Sequence, residues 1–350
     1  CAMNNKNIVW REYHGRRDDW NSMVIANLGS PYQLYEWGQY KRTSSWESLK
    51  VIAENDCGFV YAANILVKRY LFFAVCYIPS GGIGSIDILD DTFYQFVRKS
   101  IGVLFVYFRI SFQKKYSKEE SKLLSENNWR KAKYVLGSSH TMIFDLLHDE
   151  DIRLSKASKN WRHNYKRSQK KDIIIRQVKD SDIAIRILRD MESFKSLDTI
   201  FSDIEIRNIL EKLKNILLLY YATNTSGVLL GMRGALISGN TAVDFIAATT
   251  KRGRKEYSSY ALFWKLTSEC SNRGVISYDM GGFDKEENIG VYNFKKGTGA
   301  ELMRFLGGYE WSGSNMSNIT INTVVFLRNG KKLLENLKYF PRYLISLLTR

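Results

Sequence analysis

The sequence predicts an α+β protein made of two domains that follow one another along the chain. Its 350 residues are enough for two domains of ordinary size, and 45% hydrophobic with 13% aromatic residues indicates folded cores. Strand-like and helix-like segments also alternate in a similar order in the two halves. No residue-level repeat accompanies that similarity, so the halves are related in architecture rather than in sequence.

In the first half, β-branched and aromatic residues alternate with polar ones over 49–60 and 61–78, which predicts strands. A helix is expected over 92–101, followed by a buried strand over 103–112. A further strand is expected over 141–146. These segments predict a mixed first domain.

A run of basic residues separates the halves. Eight lysines and arginines and no acidic residue occur from Arg153 to Lys171. We therefore assign residues 3–155 to a first domain and 156–330 to a second. The tail over 331–350 has apolar residues at helical spacing between basic ones, which is typical of an amphipathic helix that lies on an anionic membrane face or packs on its own domain.

The second half again predicts helices and strands in a similar order. Helices are expected over 181–190, 204–213 and 258–273. The Ser238-Gly239-Asn240 turn predicts a hairpin between its flanking strands.

The net charge of +16 indicates polyanionic partners such as nucleic acid, phosphorylated substrates or an anionic membrane face. A basic surface kept for solubility is the alternative. Four cysteines without a C-x-x-C pair, and four histidines without ligand spacing, predict a reducing cytoplasmic setting and no metal site.

The stretch from Tyr278 to Gly299 carries the strongest functional signal. Gly281 and Gly282 follow a strand end and let the backbone approach a ligand closely. Lys295 lies among glycines and an aromatic residue in what reads as a basic loop, where it can reach a carbonyl oxygen, or else is a surface lysine on a turn.

Neighbouring residues of this stretch are further candidates. Asp279 is a general base or, as we favour, an anchor for the glycine turn. Tyr278 and Tyr292 pass protons, line a cleft or pack in the core, and Phe294 is a candidate wall of the substrate site.

Two basic groups elsewhere fit anion binding. Trp37 and Lys41 are four residues apart, so they share a face if the segment is helical. Arg162, Lys166 and Lys170 repeat the same spacing and form a positive stripe suited to tRNA or pyrophosphate. A solvated surface is the alternative for both.

Several separated motifs together resemble the Fem family of aminoacyl-transferases (FemA, FemB and FemX). The matching pieces, in the family's order, are Trp37-Gly38-Gln39-Tyr40-Lys41, Tyr77-Ile78-Pro79-Ser80-Gly81, residues 141–146, residues 162–168, and Tyr278-Asp279 to Gly282 with Phe294-Lys295-Lys296-Gly297 and Gly299. The chain departs from the family at Thr298, where an aromatic residue is usual, and at Ser80-Gly81-Gly82.

The resemblance implies two tandem GNAT-like domains, of acyl-CoA N-acyltransferase type, without an inserted helical arm. It also implies transfer from aminoacyl-tRNA to an amine on a lipid- or nucleotide-linked cell-envelope precursor such as a peptidoglycan stem peptide. In the family, the lysine at the place of Lys41 binds the precursor's phosphates, and Trp37, Tyr77, Arg162 and Lys166 fall in its conserved motifs. The protein would act in the cytoplasm or at the cytoplasmic membrane face, with tRNA as a partner and no bound cofactor.

Two other functions compete with this one. An acyl-CoA-dependent N-acyltransferase acting on an amino sugar of a surface polysaccharide shares the fold, but the segment Thr250–Ser259 lacks the glycine spacing of a pyrophosphate loop. A non-catalytic RNA-binding protein would keep the basic stripe and lose the cleft.

Overall fold

The computed structural model describes residues 7–133, 138–286 and 288–313, and one sheet runs through them. Its strands are β1 (Val9–Glu12), β2 (Glu47–Asn55), β3 (Gly58–Arg69), β4 (Phe73–Pro79), β5 (Ile83–Gly84), β6 (Phe105–Lys115), β7 (Trp129–Lys131), β8 (His140–Asp145), β9 (Ile174–Gln177), β10 (Leu217–Thr223), β11 (Leu229–Ser238), β12 (Thr241–Thr249), β13 (Ser277–Asp279) and β14 (Glu301–Trp311). The helices are α1 (Arg17–Ala26), α2 (Tyr35–Arg42), α3 (Asp91–Ile101), α4 (Lys118–Glu126), α5 (Glu150–Lys156), α6 (Lys159–Gln169), α7 (Ser181–Lys195), α8 (Asp203–Lys212), α9 (Lys251–Lys255), α10 (Ser258–Asn272) and α11 (Ile289–Gly297). A 3-10 turn, Pro31–Gln33, precedes α2.

The sheet consists of two units with the same strand pattern. In the first unit, β1 to β4 form an antiparallel series, β6 pairs parallel with β4, and β14 pairs antiparallel with β6. In the second, β9 to β12 form an antiparallel series, β13 pairs parallel with β12, and β8 pairs antiparallel with β13. The predicted α+β architecture with two similar halves is confirmed.

The last strand of each unit comes from the other part of the chain. Strand β8 precedes the second unit and completes it, whereas β14 follows that unit and completes the first. Residues Glu301 to Arg304 of β14 pair with β8, and Phe305 to Glu310 pair with β6. The two units are thus joined through one strand. The domain boundary at residue 155 stays a prediction. Strand β8 lies before this boundary in the chain but pairs with β13 and β14, which follow it.

The predicted ends of the early strands were wrong. The expected break at residue 60 lies inside β3, and the actual turn lies at residues 56–57. There the Asn55 side chain accepts a hydrogen bond from the Cys57 N–H at 2.9 Å, and Gly58 adopts a positive φ of 106°. An Asx turn followed by glycine is a stronger stop signal than the alternation that surrounds it.

An apolar cluster shared by the two units holds them together. Trp20 and Val24 of α1 and Trp37 of α2 pack in one buried cluster with residues of the second unit. That second-unit part of the cluster includes Ile187, Met191, Ile206, Met232 and Ile246. Helix α2 therefore lies at the junction of the units.

No helix in the described ranges is long and apolar enough to cross a membrane. The predicted amphipathic helix over 331–350 lies outside the described residues.

A substitution at Gly253 of α9 tests how tightly that helix packs on β11. A Cβ added at Gly253 would lie 1.8 Å from the Leu230 carbonyl oxygen. Gly253→Ala is therefore expected to lower the free energy of unfolding by about 1–3 kcal/mol through overpacking. Chemical denaturation measures the change.

The matched control is Gly290→Ala in α11, where an added Cβ has no atom within 4 Å. It is expected to be neutral or to stabilise by up to about 1 kcal/mol, because alanine favours a helix over glycine. Equal losses in the two variants would contradict the packing assigned to Gly253.

Candidate active site

The candidate site begins where two parallel strands separate. Strands β12 and β13 pair from Thr241 opposite Ser277 to Val243 opposite Asp279, and β12 then continues to Thr249 without β13. Opposite β11, Ala235 faces Asp244 and Gly234 faces Ile246, which leaves Phe245 as an extra residue. Such a bulge redirects side chains. Asp244 and Asp279 consequently lie together at the fork between the strands.

Asp244 is held by a buried network. Arg233 of β11 binds both carboxylate oxygens, with Nε–Oδ1 3.0 Å and Nη2–Oδ2 2.7 Å, and the two side chains are 8% and 10% exposed. The Tyr278 hydroxyl donates to Asp244 Oδ1 at 2.7 Å. A bidentate pair of this kind orients the carboxylate as well as neutralising it.

Tyr278, predicted as a catalytic residue, does not contact the cleft. Its side chain is fully buried, and burial followed by the neighbouring Asp244 raises its pKa well above the usual value. Tyr278 therefore supports the orientation of Asp244, and its role in passing protons stays a prediction.

Asp279 anchors the glycine turn. Its Oδ1 accepts a hydrogen bond from the Gly281 N–H at 2.8 Å and another from the Thr141 hydroxyl. Gly281 needs its positive φ of 73° for this turn. Burial raises the pKa of Asp279, and these two hydrogen bonds and the nearby Lys295 charge oppose that shift.

Lys295 lies on α11, so the predicted basic loop was wrong. The Asn288 side chain caps the helix by accepting from the Val291 N–H, and Thr298 closes it by donating to the Lys295 carbonyl oxygen at 2.7 Å. The sequence did not predict this helix, because Gly290 and Gly297 lower the helix propensity of the segment.

The Lys295 ammonium lies against the glycine turn. Nζ donates to the Gly281 carbonyl at 3.0 Å and to the Gly282 carbonyl at 2.7 Å, and the residue is 6% exposed. Burial lowers its pKa to about 8, with Asp244 opposing and Arg233 reinforcing that shift. Because an ammonium has three protons, one further donor is left.

The space beside Gly281 gives access to this ammonium. A Cβ added at Gly281 would lie 3.8 Å from Lys295 Nζ and 3.7 Å from the Asp244 carbonyl oxygen, at ordinary contact distance. A substrate atom can therefore occupy the same space. The absence of a side chain at Gly281 is what opens it.

A cavity of about 410 Å³ lies between the two units in front of this turn. Asp244, Asp279, Gly281 and Gly282 line one side. Side chains of the first unit and of β14 line the other: Tyr32, Tyr77, Arg109, Lys131 and Arg304. Burial raises the pKa of Tyr32, and Asp279, Tyr77 and Asp244 add to the shift. The structure thus brings Tyr77 together with the Gly281-Gly282 turn, as a shared substrate site requires.

Trp37 and Lys41 lie beside this cavity rather than in its wall. Both lie on helix α2, and Lys41 Nζ is 4.8 Å from the centre of the Trp37 ring. Trp37 contacts Tyr32 on one side and Phe245 on the other, with ring centres 4.6 and 6.0 Å apart. Burial lowers the pKa of Lys41, and Glu205 of α8 opposes the shift, so Lys41 faces the second unit.

Arg162 and Lys166 are not brought to the cavity. Arg162 donates through Nη1 to the carbonyl oxygens of Ser155 and Ala157, which ties α6 to α5. Lys166 is exposed on α6, which contacts α11 through Gly297. The stripe therefore flanks the element that carries Lys295, and its tRNA role stays a prediction.

Phe294 and Tyr292 are placed around the site instead of in the cavity wall described above. Phe294 packs against Tyr260 with ring centres 5.1 Å apart and lies 5.3 Å from the Arg233 guanidinium. Tyr292 packs on Phe283 at 5.3 Å. Their role in binding substrate stays a prediction.

Sequence reasoning missed Arg233, Asp244 and Tyr32. The available signal was a single charged residue inside each of two apolar strands, since Arg233 and Asp244 interrupt such runs. Nothing in the sequence marked Tyr32 apart from its place just before the Trp37 helix. Within the described residues, no group of three or more His, Cys, Asp or Glu side chains could hold a metal ion.

Two units with the same strand order, each containing one pair of parallel strands, define a tandem GNAT-like fold. This confirms the predicted fold class. The structure titled "Tandem GNAT protein from the clavulanic acid biosynthesis pathway (without AcCoA)" superposes with a TM-score of 0.53 at 8% identity, over 87% of this chain and 98% of that one. The shared architecture establishes the fold class of this chain.

The family comparison is more specific. Residues 222–324 match the model of the FemAB family. The structure titled "Crystal structure of FemX" superposes with a TM-score of 0.76 at 13% identity, over 86% of this chain and 97% of that one. The structure of L-PGS from Bacillus licheniformis superposes with a TM-score of 0.55 at 12% identity, over 89% and 96% of the two chains. These matches confirm the Fem-family resemblance, whereas no curated protein matches the chain by sequence.

Arg233→Met tests the buried network. Removing the guanidinium leaves the Asp244 carboxylate buried without its counter-ion, so the free energy of unfolding is expected to fall by about 3–5 kcal/mol. Chemical denaturation at neutral pH measures the loss.

The double variant Arg233→Met/Asp244→Leu serves as the control, because it removes both charges. We expect it to recover most of the lost stability. Additive losses would show that the pair is not coupled as its geometry indicates.

Proposed function

We propose that this protein is an aminoacyltransferase that forms an amide between an activated aminoacyl ester and an amine on a cell-envelope precursor. The donor in this proposal is aminoacyl-tRNA, and the acceptor class includes a peptidoglycan stem peptide. The observation that carries the proposal is the Lys295 ammonium beside the open space at Gly281. The FemAB match over residues 222–324 supports the reaction class.

The chemistry requires orientation and charge stabilisation. An aminoacyl ester is already activated, so attack of the neutral acceptor amine on its carbonyl carbon forms a tetrahedral oxyanion directly. Collapse of this oxyanion breaks the ester C–O bond, and the ribose hydroxyl of the tRNA leaves with the proton that the amine gives up. The third N–H of Lys295 would donate to this oxyanion, while the Gly281 and Gly282 carbonyls hold the ammonium in place.

The acyl-CoA alternative is less well supported at the second unit. The glycine of its candidate loop, Gly253, is pressed against the Leu230 carbonyl oxygen. Its N–H donates to the Thr250 hydroxyl at 3.0 Å and is not free to hold a phosphate. The net charge of +16 favours a polyanionic donor such as tRNA. A place in the cytoplasm, or at the cytoplasmic membrane face, belongs to the same proposal.

A donor comparison tests this function. The purified chain is incubated with charged tRNA or acyl-CoA, each with a peptidoglycan precursor or a nucleotide-linked amino sugar as acceptor. Amide product with charged tRNA is expected. Product with acyl-CoA alone would overturn the proposal, and tRNA binding without product from any pair would favour the non-catalytic alternative.

Lys295→Ala is expected to lower kcat by about 100-fold or more, because one oxyanion donor is lost. Single-turnover measurement with saturating donor isolates the chemical step. The control is Lys296→Ala, which removes an exposed lysine from the next position of the same helix. If both variants kept near-normal rates, Lys295 would have no role in transition-state stabilisation.

The rate is also expected to fall as the pH rises above about 8, where Lys295 loses its proton. Its pKa in the folded chain lies below the ordinary value of 10.5, so the unfolded chain binds more protons between these values. This group therefore makes the free energy of unfolding rise with pH in that window, and the rate loss is not unfolding.

Lys295→Arg separates the causes, since arginine stays charged. The variant is expected to have a lower rate but no decline between pH 8 and 10. A decline unchanged from the parent would assign the titration to another group.

A further inference from the structure

A second cleft lies on the first unit, outside the cavity at the fork. It has a volume of about 650 Å³ and shares no lining residue with that cavity. The walls come from the end of α2, from β2 and from the loop after β1, through Arg42, Trp46, Ser48, Lys50 and Tyr13. The function proposed above uses none of these residues.

Lys50 is a buried cation that lines this cleft. The residue is 7% exposed, and its Nζ lies 3.1 Å from the Ser48 hydroxyl and 4.2 Å from the centre of the Tyr35 ring. In the described part of the chain, no carboxylate lies within 4 Å of Nζ. Contact with an aromatic face offsets only part of the cost of desolvating a charge.

With Lys50, Arg42 and Arg69 set against Glu12 and Glu47, the lining of the cleft has one excess positive charge when His14 is neutral. Arg69 pairs with Glu47 at 2.9 Å, and His14 lies 3.4 Å from Glu12. Arg42, exposed on α2, forms no ion pair within the described residues. Burial and then the charge of Arg42 lower the pKa of Lys50 to about 8, with Glu36 opposing. An anion in the cleft would relieve both costs.

Aromatic side chains give the cleft a second kind of surface. Tyr13, Tyr35 and Trp46 are half-buried where they line it. Aromatic faces beside lysine and arginine are the surfaces on which nucleobases stack while cations hold the phosphate. A purely inorganic anion would leave these rings unused.

We propose that this cleft binds a nucleotide, with its phosphate at Lys50 and Arg42 and its base against Tyr13, Tyr35 or Trp46. The site is separate from the Lys41 position. Tyr35 and Arg42 border the cleft, while Trp37 and Lys41, on the same helix, contact Phe245 and face Glu205 of the second unit. Helix α2 would therefore have a nucleotide on one face and the junction of the units on the other.

Isothermal titration calorimetry of the full chain at low ionic strength tests the proposal with three probes: 5′-AMP, inorganic phosphate and adenosine. We expect 5′-AMP to bind more tightly than either of the others, and its affinity to weaken as salt is added. Equal affinity for 5′-AMP and phosphate would overturn the nucleotide assignment, and equal affinity for 5′-AMP and adenosine would overturn the anion site.

Lys50→Met keeps the shape of the buried side chain and removes its charge. It is expected to weaken 5′-AMP binding by about 30-fold or more, as when one partner of a buried charged contact is removed. Arg42→Ala changes an exposed residue, so it tests the same site without disturbing the core, and a weaker loss is expected. Circular dichroism checks that both variants fold.

Lys118→Met is the matched control, since it removes an exposed lysine that does not line the cleft. It should bind 5′-AMP as the parent does, and so should Lys295→Ala. Unchanged binding in both Lys50→Met and Arg42→Ala would overturn the site. Because no readout depends on turnover, failure here is distinguishable from failure of the proposed transferase reaction.

Discussion

The double pairing of β14 is the constraint on which the described structure depends. One half of this strand pairs with β8 in the second unit and the other half with β6 in the first. A strand cannot shift its register on one side without breaking its pairing on the other. The exchange therefore sets the relative position of the two units, and with it the width of the cavity between the Gly281-Gly282 turn and the wall that carries Tyr77.

Within that frame, the candidate site consists of a few charged side chains that are largely shielded from solvent. Asp244 is paired by Arg233, Asp279 is held by Thr141 and the Gly281 N–H, and Lys295 binds two carbonyl oxygens. Each group thus has a fixed direction before any substrate arrives. Fixed dipoles and charges need no reorganisation, which is what the proposed stabilisation of an oxyanion requires.

Helix α2 connects the two proposed binding regions. Trp37 reaches Tyr32 and Phe245 near the cavity, whereas Tyr35 contacts the Lys50 ammonium in the other cleft. With only eight residues, the helix has little length over which to move one face without the other. The two sites are thus separate in their residues and adjacent in their scaffold.

The sequence by itself determined the α+β class and the repeated order of elements, and it marked the glycine turn with Lys295 as a candidate site. These features depend on local patterns: alternation in strands, spacing in helices and the backbone freedom of glycine. The Fem-type motifs indicated the family resemblance for the same reason, because each motif is contiguous in the chain.

Only the tertiary structure decided which residues meet. The exchange of β8 and β14, the Arg233–Asp244 pair and the burial of Tyr278 depend on contacts between distant segments, which no local pattern encodes. The sequence did not predict the helix that carries Lys295, because Gly290 and Gly297 have low helix propensity. Packing on α6 stabilises the helix in spite of them. In the sequence, Lys50 is an ordinary lysine within a predicted strand. Only the structure distinguishes it from other lysines, because its side chain is buried beside Tyr35 without a carboxylate partner.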